Sequence, residues 1–296
     1  MEHETSGITH VKTAREYAIS DAVNFKPFNP NDLPDFFAGV MFGQRRTGKT
    51  TLMRDLVHSQ RKRFDKVFVF SLTAHIYKDS DYDFVPPTNF VYGLDEDLLE
   101  DMMTSREREV IKRTENGTMK DIDKWLFIFD DIIGDKKVRQ SQPLNNLFVQ
   151  GRHFAIYALL LCQHATGIPP VIRRNLDVAF CFRPNSQDTR EIICKEYMSL
   201  EHWKVGQEIL KNITSEDHVA VAIMLKDPSV KKYEDQVFKY QCEVDSKGVP
   251  KHWNFKIGHN TQYQRTIKNA KVDKSRVMGE VLNIKVIVQP TRQSLT

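Results

Sequence analysis

The stretch GQRRTGKTT (residues 43–51) constrains this chain more than any other. It follows the apolar run FFAGVMF (36–42) and opens a polar, helix-compatible segment, LMRDLVHSQRKR. Gly43, Gly48, Lys49 and Thr50 fit the pattern G-x-x-x-x-G-K-[ST], in which the N–H groups of a glycine-rich loop cradle phosphate oxygens at the start of a helix. In that pattern Lys49 reaches the β- and γ-phosphates and Thr50 offers its hydroxyl to Mg²⁺. The expected nucleotide-binding segment is therefore Gly43, Gln44, Arg45, Arg46, Thr47, Gly48, Lys49, Thr50 and Thr51. The alternative is a surface strand-to-helix turn that happens to hold glycine and lysine.

A strand must end and a helix begin at such a loop, and the rest of the chain repeats that alternation. Apolar, β-rich runs recur at 36–42, 66–72, 124–131, 154–163 and 176–184, separated by segments of helix length, and 217–227 and 235–244 read as further strands. Nearly continuous apolar strands alternating with helices predict a parallel sheet covered on both faces. The fold class is α/β, doubly wound. DEDLLEDMMTSREREVIKRT (95–114) has helical spacing and alternating charge, which predicts an exposed helix. The aromatic residues of the 124–131 run, Trp125, Phe127 and Phe129, read as strand core.

The chain divides at changes of composition. Residues 1–35 are irregular, and FKPFNPNDLPDF holds too much proline for a helix or a central strand. Residues 36–244 form the expected nucleotide-binding domain. Residues 245–296 carry ten Lys/Arg against three Asp/Glu, whereas the whole chain has a net charge of only +4. A basic C-terminal extension on a near-neutral domain points to a polyanionic partner. Trp253, Phe255 and Tyr263 lie among its basic residues, where a small β-element explains them better than base stacking.

The run WLFIFDD ends in two acids at what should be the carboxyl end of a buried strand, the end where open α/β sheets bind ligands. Asp130 fits the acid on the Mg²⁺ side, and Asp131 fits a base for an attacking water, or else a cap on the next helix. Gln163 ends another buried strand. If that strand lies between those of the loop and the acids, Gln163 faces the γ-phosphate. Arg152 precedes the same strand, and Arg173 and Arg174 follow it.

The loop GQRRTGKTTL, the strand WLFIFDD, the GRH…LLLCQ segment and IPPVIRRNLDVAFCFR occur in the same order as in the poxvirus-type genome-packaging ATPases of large DNA viruses. These belong to the FtsK–HerA-like group of DNA pumps. The resemblance covers roughly residues 36–225. It implies an ASCE-type P-loop fold and an ATP-driven, ring-forming homo-oligomer that moves double-stranded DNA into a capsid, with a capsid or portal-like vertex protein as a further partner. It also implies ATP and Mg²⁺ at Lys49, Thr50 and Asp130, Asp131 as catalytic base and Gln163 as sensor. Arg152 is the preferred arginine for completing a neighbour's site. The place of action it implies is the virion and the host-cell cytoplasm. Asp131 stands where cellular relatives usually carry Glu, and Arg46 stands where a small residue is usual.

Composition narrows the remaining classes. With 40% apolar and 28% charged residues the chain is ordinary globular material, and its longest apolar stretch, FAIYALLLC, is too short to span a bilayer. The N-terminus carries no signal-peptide pattern. Cys162, Cys181, Cys194 and Cys242 form no C-x-x-C pair, which fits free thiols in a reducing compartment. Cys162, His164 and His153 lack the spacing of a zinc site. The competing functions are a nucleoside or nucleotide kinase of the P-loop type and a non-catalytic nucleotide-binding scaffold.

Overall fold

The computed structural model describes residues 25–73, 81–198, 203–216, 218–225, 235–245 and 254–258. Most of the basic extension, including Trp253, Tyr263, Lys268, Lys271, Lys274 and Arg276, lies outside them. All seven apolar runs are strands. Among the described residues eight strands follow one another: β1 Ala38–Phe42, β2 Lys66–Ser71, β3 Phe90–Tyr92, β4 Trp125–Asp130, β5 Ile156–Cys162, β6 Val178–Cys181, β7 Val219–Met224 and β8 Val237–Gln241. The unpredicted one, β3, is three residues long after the turn PPTN, too short to show a period. The longer helices are α1 Lys49–Ser59, α2 Glu96–Glu115, α3 Gln142–Gln150, α4 Gln187–Glu196 and α5 Trp203–Ile213.

One sheet takes in all eight strands in the order β3-β2-β4-β5-β1-β6-β7-β8. From β3 to β6 every pairing is parallel, and β7 and β8 add an antiparallel edge. Alternate residues face opposite sides of the sheet. Val40, Phe68, Phe127 and Leu160 look into one layer, together with Leu99 and Met102 of α2, Leu144 and Leu147 of α3, and Leu210 and Ile213 of α5. Met41, Val69, Ile128 and Leu159 look into the other, with Leu52, Met53, Leu56 and Val57 of α1. Parallel strands buried on both faces therefore read as unbroken apolar runs. Trp125, Phe127 and Phe129 are core, as expected, and the Phe70 and Phe129 rings stack at 4.8 Å.

The helix predicted over 95–114 is present but only half exposed. Leu99, Met102, Met103 and Arg106 are buried. Arg106 donates to the carbonyls of Phe154 and Asp123, and its guanidinium lies 4.7 Å from the Trp125 ring centre. A buried arginine that fills its donors on backbone and stacks on indole behaves as core, which charge alternation cannot reveal.

The core also draws on residues beyond 36–244. Phe28 and Leu33 pack on the α1 side, and the Phe28 N–H donates to the Lys239 carbonyl at 2.8 Å. Phe255 and Ile257 are buried on the same face.

Candidate nucleotide site

β1 ends at Phe42, and the Gly43 N–H donates to the Cys162 carbonyl of neighbouring β5. A Cβ on Gly43 would lie 2.6 Å from the Phe182 Cβ, so only glycine lets the chain leave the sheet here. Gly48 is the N-cap of α1 with φ +92°, a left-handed conformation that favours glycine. It supplies no side-chain cap, which leaves the first N–H groups of α1 without a side-chain acceptor. Arg46 is also left-handed, at φ +64°, so the unusual residue in the motif sits in a strained turn.

The loop folds over its own lysine. The Lys49 ammonium donates to the carbonyls of Gly43 at 2.6 Å and Gln44 at 2.7 Å. Burial lowers its pKa, against the pull of Asp130 and Asp131. The Thr47 hydroxyl donates back to the Gln44 carbonyl, and the Asn185 side chain donates to the Gln44 side-chain oxygen, tying the exposed loop to the chain after β6. Thr50 and Thr51 enter the first turn of α1.

Asp130 closes β4 and is largely buried. Its Oδ2 accepts the Tyr82 hydroxyl at 2.7 Å. Burial raises the Asp130 pKa, the Tyr82 bond opposes it, and the like charge of Asp131 adds to it. Asp131 is exposed and left-handed at φ +54°, a conformation aspartate tolerates. It does not cap the next helix: Asp135 does, accepting from the Lys137 N–H at 2.8 Å. Asp131 Oδ2 instead accepts from the Gln163 side-chain amide at 2.7 Å.

That contact exists because β5 lies between β1 and β4. The phosphate-type loop, Gln163 and the two acids therefore meet at the carboxyl edge of adjacent strands. Arg152 is not brought there. It is exposed in the turn Gly151–Phe154 that precedes β5, at the opposite edge, where its Nε donates to His153. Arg173 is ion-paired with Glu196 at 3.1 Å. Cys162 and His164 lie at one end of β5 and His153 at the other, so these three do not converge. All four cysteines are buried thiols, and burial pushes Cys162 up to about 12.

The donor set fits Mg²⁺, a hard cation that takes oxygen ligands. Thr50 and Asp130 carry oxygens that such a cation takes, and Asp130, whose charge burial disfavours, gains from a cation beside it. Tyr82 and Asn185 went unread in the sequence. Both lie in polar loops, and no spacing signals that a phenol far from the acids in the chain will meet one of them.

The family model of the Poxvirus A32 protein matches residues 26–265. Uncharacterized protein 075L of Invertebrate iridescent virus 6 is 32% identical over 189 residues, covering 62% of this chain and 69% of that protein. Uncharacterized protein 015R of Frog virus 3 is 21% identical over 249 residues, 82% and 73% of the two chains. Among solved structures, the genome packaging NTPase B204 from Sulfolobus turreted icosahedral virus 2, in complex with ATP-gammaS, has a TM-score of 0.45 and 14% identity over 67% of this chain and 97% of that one. The pCW3 conjugation coupling protein TcpA with ATPgS has a TM-score of 0.50 and 13% identity over 70% of this chain and 60% of that one. At such identities the TcpA likeness speaks to the fold alone. The family match runs from ahead of β1 to beyond β8 and takes in the loop, both acids and Gln163, and so this chain belongs to the Poxvirus A32 protein family.

Proposed function

We propose that this chain is the ATPase of a motor that drives double-stranded DNA into a viral capsid, working as a ring of identical subunits in the infected cell's cytoplasm. The observation that carries the hydrolytic reading is the Gln163–Asp131 contact of 2.7 Å, beside the phosphate loop. A kinase that passes phosphate to an organic acceptor has no need of a second exposed acid held by an amide. Membership in the Poxvirus A32 family supports the packaging role.

In this reading the loop N–H groups and Lys49 bind the β- and γ-phosphates of ATP, Lys49 exchanging the Gly43 and Gln44 carbonyls for phosphate oxygens. Thr50 and Asp130 would hold Mg²⁺, which when bound neutralises charge across the phosphates. Asp131 takes a proton from the attacking water, and Gln163 orients Asp131 and that water. Arg152, at the edge remote from its own nucleotide, completes the site of the next subunit and faces the charge that develops on the γ-phosphate.

The test is phosphate release from ATP with and without duplex DNA. DNA-stimulated release is the expected result. Phosphate transfer to an added nucleoside would replace the motor with a kinase, and ATP binding without turnover would replace it with a scaffold.

A further inference from the structure

Residues 81–85 cross the face of the sheet that α1 covers, and they are clamped at both flanks. Arg54, on α1 and 1% exposed, donates to the Asp81 carbonyl at 2.9 Å and to Asp83 Oδ1 at 2.6 Å. Lys256, from the C-terminal segment, ion-pairs with Asp83 Oδ2 at 3.1 Å and donates to the Asp83 carbonyl. Phe255 stacks on Phe84 at 4.8 Å, and the Arg54 guanidinium lies 5.2 and 5.5 Å from the two ring centres. The Ile257 N–H donates to the Phe84 carbonyl at 3.0 Å. Between Asp81 and Asp83 of this strap Tyr82, 1% exposed, places its hydroxyl on Asp130.

We propose that Tyr82 is a positioning residue for Asp130, aimed by a clamp that joins the helix of the phosphate loop to the C-terminal segment. A phenol has one O–H to donate, and a carboxylate has two oxygens. With Oδ2 held by Tyr82, Oδ1 is the oxygen that meets a cation, and its direction is set by the strap. Carboxylates that bind metal are oriented in this way by hydrogen-bonding partners behind them. The proposal rests on the reading of Asp130 as the acid on the metal side. It adds that the strap, which lies outside every motif, governs how that acid is presented.

Tyr82→Phe keeps the ring packed against Phe84 and Phe90 and removes only the hydroxyl. The measurement is Mn²⁺ binding in the presence of ADP, followed by electron paramagnetic resonance, on the full chain, Tyr82→Phe, Asp130→Asn and the double variant. ADP binding in EDTA is measured alongside. Tyr82→Phe is expected to bind ADP normally without metal and to weaken Mn²⁺ by about 10- to 100-fold. The double variant is expected to be no weaker than Asp130→Asn, since the hydroxyl acts through that carboxylate. Unchanged Mn²⁺ affinity in Tyr82→Phe, or additive losses, would overturn the proposal. So would loss of ADP binding in EDTA, which would make the hydroxyl a support of the fold instead. If Asp130→Asn itself binds Mn²⁺ like the wild type, the reading of Asp130 fails, and that result is separate from the others.

Discussion

At the scale of single residues, Lys49 and Asp130 are charged groups held where burial disfavours charge. Asp130 shows it most directly, because burial raises its pKa despite the Tyr82 bond. An acid whose folded pKa lies above its unfolded value holds its proton more tightly when folded. Stability is then greatest at low pH and falls as pH rises through the raised value. Asp130→Asn is therefore expected to melt above the wild type at pH 7 without nucleotide. The difference should vanish towards the unperturbed aspartate value of about pH 4, and calorimetry across that range checks it. Lys49→Ala should lose most nucleotide affinity, because a cation beside two phosphates is gone. Asp131→Asn should bind ATP normally and hydrolyse it ~100-fold more slowly, the scale expected for a missing general base. Near-full turnover in that variant would move the base elsewhere.

At the scale of elements, α1 is the hub. The candidate phosphate loop leads into its N-terminus, its Arg54 clamps the 81–85 strap, and its Asp55 accepts the Tyr240 hydroxyl of β8 at 2.7 Å. The segment 254–258 is part of this assembly, with Phe255 buried against Phe84 and beside Arg54. Phe255→Ala is expected to cost about 3 kcal/mol, the low end for truncating a buried phenylalanine, because the site lies near the surface and can partly collapse. Urea unfolding followed by circular dichroism measures this directly. A loss below about 0.5 kcal/mol, as at ordinary surface positions, would mean that the segment is dispensable to the fold.

At the scale of the whole molecule, the proposed function turns on charge and symmetry. A truncation that tests the basic extension has to end after Gly258, since one at 245 removes Phe255 and Ile257 from the core. Removing residues 259–296 should weaken duplex DNA binding and flatten its salt dependence. The log–log slope should fall by about 0.9 for each DNA phosphate that the shortened chain no longer neutralises, as read by fluorescence anisotropy at several salt concentrations. An unchanged slope would make the extension a solvated tail. Arg152 sits at the edge of the sheet away from the candidate nucleotide site, so its proposed role requires a neighbour. Arg152→Ala should bind ATP while turnover falls by roughly 10³- to 10⁵-fold, the range measured for arginine fingers. Mixed with Asp131→Asn, it should regain partial activity. No recovery in a mixture shown to exchange subunits would end the trans assignment.

The sequence by itself determined the strands, and it placed the glycine-rich loop, the two acids and Gln163 at strand ends. Parallel strands buried on both faces must be apolar throughout, and a phosphate cradle needs glycine, lysine and a hydroxyl at fixed spacing, so both write themselves locally. β3 and the buried face of α2 escaped because three residues show no period and because a buried arginine looks like a surface one. Tertiary structure alone decided that β5 lies between β1 and β4, which joins Gln163 to Asp131 and turns two separate strand ends into one site. It alone brought Tyr82 to Asp130 and folded Phe255 and Lys256 back onto the strap. Strand order and long-range contacts depend on how whole layers pack, and residues distant in the chain carry no mark of which neighbour they will meet.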